Sequence, residues 1–90
     1  MRLDKFLKLS RLIRRRTVAK DVAEQGRVFV NGKEAKAGTT VKVGDEITIR
    51  YGTKSVTVRV DNLVESPRKE EASGMYTVLR EEPVHAQDDE

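Results

Sequence analysis

Thr17-Val18-Ala19-Lys20-Asp21-Val22-Ala23-Glu24-Gln25-Gly26-Arg27-Val28-Phe29-Val30-Asn31-Gly32 changes its hydrophobic period at one glycine. Before Gly26, Val18, Ala19, Val22 and Ala23 recur at helical spacing, and Thr17 is a good side-chain N-cap. The stretch therefore predicts a helix over 18–25, stopped where Gly26 can adopt a left-handed conformation. After Gly26 the period is two: Val28 and Val30 alternate with Arg27, Phe29 and Asn31, which predicts a strand. Asn31-Gly32 is a strong signal for a type I′ hairpin, returning as Lys33-Glu34-Ala35-Lys36.

Upstream, Leu3, Phe6, Leu7 and Ser10 follow helical spacing and predict an amphipathic helix over about residues 2–10. Downstream, Val41 and Val43 suggest an extended segment before a turn at Gly44-Asp45. Ile47, Ile49 and Tyr51 alternate with polar residues, as do Val56, Val58 and Val60. Gly52-Thr53 between them suits a two-residue type II′ hairpin. Ser66-Pro67 reads as the start of a short helix ending near Gly74, and Met75–Leu79 as a last strand. Residues 81–90 carry five acids and are expected to be unstructured.

Ninety residues make one small domain, which buries only roughly 60% of its unfolded surface. There is no cysteine, hence no disulfide framework and no thiolate zinc site. That fits a reducing cytoplasm. No apolar run approaches the roughly 20 residues of a membrane span. Enzyme chemistry is poorly supplied: the single histidine, His85, lies in a polar segment without a partner to activate or orient it. No glycine loop for phosphates and no metal-ligand spacing is present, so neither a cofactor nor an enzymatic role is expected.

Charge is organised along the chain. Residues 1–36 hold eleven Lys or Arg against four acids, a balance of +7, and residues 37–90 hold seven against eleven, a balance of −4. The quoted net charge of +3 hides this asymmetry. The densest run, Arg11-Leu12-Ile13-Arg14-Arg15-Arg16, lies just before a helix start, where backbone N–H groups also favour anions. A basic face beside a small β unit is the electrostatic footprint of a nucleic-acid binder. Only Phe6, Phe29, Tyr51 and Tyr76 are aromatic, and none lies in the basic run, so base stacking on single strands is not the expected mode. Arginine forks suit phosphate oxygens and the shape of folded RNA.

Arg2-Leu3-Asp4-Lys5-Phe6-Leu7, Arg15-Arg16-Thr17-Val18-Ala19, Gly26–Gly32 and Val43-Gly44-Asp45-Glu46-Ile47 occur in the order and spacing of a known pattern. Together they resemble the ribosomal-protein S-four-type RNA-binding domain, or alpha-L motif. The resemblance implies an α+β fold, with two N-terminal helices packed on a small bent antiparallel sheet and a short C-terminal extension. It divides the chain into an RNA-binding domain at 1–60, an extension at 61–80 packing on it, and an acidic tail at 81–90. Over its whole length the chain is similar to the short bacterial proteins of ribosome-associated quality control, relatives of heat-shock protein fifteen. That likeness implies a non-enzymatic, monomeric cytoplasmic factor on obstructed large subunits. Its partners would be 23S rRNA, peptidyl-tRNA and RqcH, the protein that extends stalled chains with alanine. A recycling factor of the heat-shock protein fifteen type, binding rRNA without a role in tailing, is the alternative; a protein–protein adaptor is another. Carried over residue by residue, the resemblance implies that Arg2 and Arg16 grip RNA and that Asp4 orients the neighbouring basic side chains or accepts a hydrogen bond. Lys5, Lys8, Arg11, Arg14, Arg15, Thr17 and Lys20 support them. Asp4 also suits a helix N-terminus on electrostatic grounds alone.

Overall fold

The computed structural model describes residues 1–64, 68 and 72–83. Two helices, α1 (Leu3–Leu9) and α2 (Arg16–Glu24), precede β1 (Val28–Val30), β2 (Lys33–Glu34), β3 (Glu46–Tyr51), β4 (Lys54–Val60) and β5 (Tyr76–Pro83), with a 3₁₀ turn at Ser73–Met75. The strands form one antiparallel sheet in the order β2-β1-β3-β4-β5. The α+β architecture read from the sequence is therefore the observed one.

The core is the helical stripe laid on one sheet face. Leu3, Phe6 and Leu7 of α1 and Ala19 and Ala23 of α2 pack with Val28, Ile47, Ile49, Val58 and Val60, all fully buried. Alanines on α2 keep its contact face shallow. Gly26 ends α2 at φ +76, with its N–H on the Ala23 carbonyl at 3.0 Å and the Arg27 N–H on Val22 at 3.2 Å, the Schellman pattern. Asn31 (φ 53) and Gly32 (φ 84) are both left-handed, which makes the hairpin type I′. Asn31 also ties its turn to the next one: its amide donates to Asp45 at 3.1 Å and accepts from the Glu46 N–H at 3.0 Å.

Four expectations need correction. Thr17 does not cap α2: the helix starts at Arg16, and Arg15 is an extended N-cap with no side-chain hydrogen bond. The first helical bond, Ala19 N–H to the Arg15 carbonyl at 3.0 Å, and the docking of Arg16 on α1 set this start instead. The return strand after Asn31-Gly32 is only Lys33–Glu34. The turn expected after Val41 and Val43 is present, with the Asp45 N–H on the Lys42 carbonyl at 3.0 Å; Val41 is buried and Val43 is left 61% exposed. Gly52-Thr53 is a two-residue loop as expected, but neither residue has positive φ, so it is not type II′. Lastly, β5 runs on through Pro83, because β4 offers partners as far as Lys54. A bulge opposite Thr57/Val58 shifts its register and bends the edge. The helix start at Ser66-Pro67 and residues 84–90 lie outside the described residues.

Candidate nucleic-acid interface

Asp4 sits in the first turn of α1 and is almost wholly buried, with 4% of its side chain exposed. It is reached from three directions. Arg2, the extended N-cap of α1, places Nε 3.2 Å from Oδ1 and Nη2 3.3 Å from Oδ2. Arg16, the first residue of α2, places Nε 3.4 Å from Oδ2. The Lys5 backbone N–H donates to Oδ1 at 2.8 Å. Burial alone would raise the pKa of this carboxyl; the hydrogen bonds from Arg2 and Arg16 outweigh it, so Asp4 titrates below the ordinary 3.8. The carboxylate thus locks two guanidiniums from two helices into one cluster. Each keeps about half of its own surface open, 54% for Arg2 and 49% for Arg16. Donors left pointing to solvent are available to an outside anion.

Backbone contacts hold the cluster in place. The Leu3 and Asp4 N–H groups, free at a helix start, are satisfied by the carbonyls of Thr39 (2.7 Å) and Ala37 (3.1 Å). A single bridge pairs Arg2 with Thr40. The loop after the type I′ hairpin therefore anchors the start of α1.

Between the helices, the Arg-rich run is pinned by its apolar members. Ile13 is buried, its N–H bonding the Leu7 carbonyl at 3.1 Å. The Leu12 carbonyl accepts the Tyr51 hydroxyl at 3.0 Å across the core. Ser10 is buried, with its hydroxyl on the Leu7 carbonyl at 3.3 Å. Burial, then the nearby Tyr76 and Glu81, push the Tyr51 hydroxyl's pKa above the ordinary 10.0, keeping it a donor at neutral pH. Arg11, at φ 66, takes the left-handed position just past α1 that usually belongs to glycine. Arg11, Arg14 and Arg15 are left exposed. Lys8, Leu9, Arg11 and Arg14 border an open depression of about 690 Å³. Lys20, one turn beyond Arg16, extends the same helix face, and Thr17 is exposed within the first turn of α2.

Of the ten residues singled out in the sequence, Arg2, Asp4, Arg16 and the Lys5 backbone meet at the carboxylate; Thr17 and Lys20 lie on α2, Lys8 on the last turn of α1, and Arg11, Arg14 and Arg15 on the loop between the helices. Sequence reasoning placed Ser10 on the α1 stripe and Tyr51 in a strand row but gave neither of them, nor Ile13, a part in holding the loop. A tyrosine closing an inward-facing strand row was the available signal, because its buried ring needs a partner for the hydroxyl.

The S4 domain model matches residues 1–47. The chain belongs to the S4 domain family. In this S4 domain the match covers both helices, the basic cluster and the Asn31-Gly32 hairpin, and ends inside β3. Over a longer span the chain is 66% identical to the RQC P-site tRNA stabilizing factor of Halalkalibacterium halodurans, covering 93% of this chain and 96% of that one. It is 62% identical to the protein of the same name in Bacillus subtilis, covering 93% and 98%. Among solved structures, the trimeric heat shock protein 15 of Vibrio cholerae superposes with a TM-score of 0.80 at 33% identity, covering 87% of this chain and 80% of that one.

Proposed function

We propose that the chain is a non-catalytic RNA-binding factor of ribosome-associated quality control. It binds obstructed large ribosomal subunits as a cytoplasmic monomer, contacts 23S rRNA and peptidyl-tRNA, and supports RqcH-dependent alanine tailing of the stalled chain. The observation that carries this reading is the pair of half-exposed guanidiniums, Arg2 and Arg16, aligned by a buried carboxylate beside an exposed Arg loop. The relatives' printed name, a P-site tRNA stabilizing factor, points to the same class of ligand. Arg2 and Arg16 grip backbone phosphates; Asp4 positions them without touching RNA. Lys8, Arg11, Arg14, Arg15 and Lys20 add charge along the bound strand, and Thr17 and Lys5 flank the grip.

Sucrose-gradient fractionation of a lysate containing the tagged protein tests the reading. Sedimentation with free large subunits that carry peptidyl-tRNA, and loss of alanine tails when the protein is deleted, are expected. Co-sedimentation with intact tailing would instead favour the heat-shock protein fifteen-like recycling role. A position at the top of the gradient at low salt would contradict both.

A further inference from the structure

A second basic cluster lies at the other end of α2. Gln25, Gly26, Arg27, Arg50 and Gly52 border a concave opening of about 290 Å³. Arg27 follows the Schellman turn that ends α2, and Arg50 lies beside it on β3, with its N–H on the Arg27 carbonyl at 2.9 Å. Both arginines are exposed, and neither guanidinium has an ion-pair or hydrogen-bond partner among the described residues. This differs from Arg59, which donates to Asp61 at 2.8 Å and whose charge is thereby engaged. Gly52 leaves open space on the wall, with nothing within 4 Å of where a Cβ would stand, whereas at Gly26 that place is taken by the Glu34 carboxylate. The nearby acid is Glu34, whose carboxylate approaches Gly26 and is held by the Lys36 ammonium at 3.4 Å. α2 has nine residues and rises about 1.5 Å per residue, so the opening lies roughly 14 Å from the Arg16 end of the helix.

We infer that Arg27 and Arg50, converging over the glycine-walled opening, form a second RNA-phosphate site, separate from the Arg2–Asp4–Arg16 cluster. Two unpaired planar forks match a phosphodiester's oxygens. Gln25 adds amide donors at the rim. The proposal rests on the RNA-binding reading and deepens it: the domain touches RNA at both ends of α2, which fixes its orientation on a folded RNA as one contact cannot.

The test uses the full chain and purified large subunits carrying peptidyl-tRNA, with affinity measured across a salt series. Arg27→Ala/Arg50→Ala is expected to bind roughly ten- to a hundredfold more weakly. Its log–log salt slope should become shallower by about 1 to 2, the value for one or two lost phosphate contacts. Arg27→Lys/Arg50→Lys, which keeps charge and fold, should restore the slope but only part of the affinity. Lys42→Ala/Arg80→Ala removes equal charge elsewhere and should have the smaller effect. An unchanged affinity and slope for the Arg27/Arg50 pair, or a loss equal to that of the Lys42/Arg80 control, would overturn the site. If Arg16→Ala still weakened binding in that case, the RNA-binding reading would stand alone; if the wild type itself failed to bind, both would fall.

Discussion

Asp4 is the residue on which the proposed interface turns, because one buried carboxylate serves two guanidiniums. Its lowered pKa makes this testable by pH. A carboxyl that titrates lower in the folded state contributes stability that is fully present above its unfolded pKa and lost as pH falls through the folded value. We therefore predict that thermal stability falls below about pH 4 in the wild type, and that Asp4→Asn is less stable at pH 7 with a flatter acid limb. Melting temperatures from pH 2 to 7 check both. Arg11 makes the opposite case. Its left-handed backbone costs about 1 kcal/mol that glycine would not incur. Arg11→Gly should raise stability by up to about 1 kcal/mol in urea unfolding while weakening RNA binding, because it removes an exposed cation from the rim of the depression. A variant both more stable and equally tight would remove Arg11 from the interface.

At the scale of elements, the basic loop is ordered by what it buries. Tyr51 on β3 reaches the Leu12 carbonyl, so the sheet fixes the loop that joins the two helices. Tyr51→Phe leaves that carbonyl without its donor and should cost about 1 kcal/mol. Faster amide exchange at residues 11–15 than in β3 and β4 would locate the loss in the loop; uniform destabilisation would deny Tyr51 this role. The same contrast separates what the sequence disclosed from what it hid. Gly26 and Asn31-Gly32 were legible because their left-handed backbone is a local requirement written in residue type. The inward strand positions Ile47, Ile49, Val56, Val58 and Val60 were legible because alternation reports a half-buried sheet. The start of α2 one residue before Thr17 was set by the contact of Arg16 with α1, and the turn type at Gly52 and the exposure of Val43 left no local mark. Ile13 was hidden in another way, since an apolar residue inside an arginine run reads as part of a charged segment until its burial is known.

For the whole molecule, the asymmetry of charge along the chain becomes an arrangement in space. Eight of the eleven bases of the first half lie on α1, on α2 or in the segments that flank and join them; Arg27, Lys33 and Lys36 lie beyond α2. At the far edge of the sheet, β5 carries ion pairs such as Lys54–Glu81 and Arg80–Glu82, which suit a solvated edge strand. The candidate residues of the proposed site could be named from the sequence, because charge and motif order are properties of the chain. Its geometry was not, since nothing in the spacing of Arg2, Asp4 and Arg16 shows that one carboxylate joins them across two helices. The central claim is that this joined pair of guanidiniums grips RNA on the large subunit, and the most direct test is co-sedimentation of Arg16→Ala with free large subunits. Arg2 still satisfies Asp4 in that variant, so its circular dichroism and melting should stay close to the wild type. The account predicts roughly a ten- to hundredfold loss of affinity, the range for one charge-assisted contact. Unchanged co-sedimentation by a folded Arg16→Ala protein would contradict it.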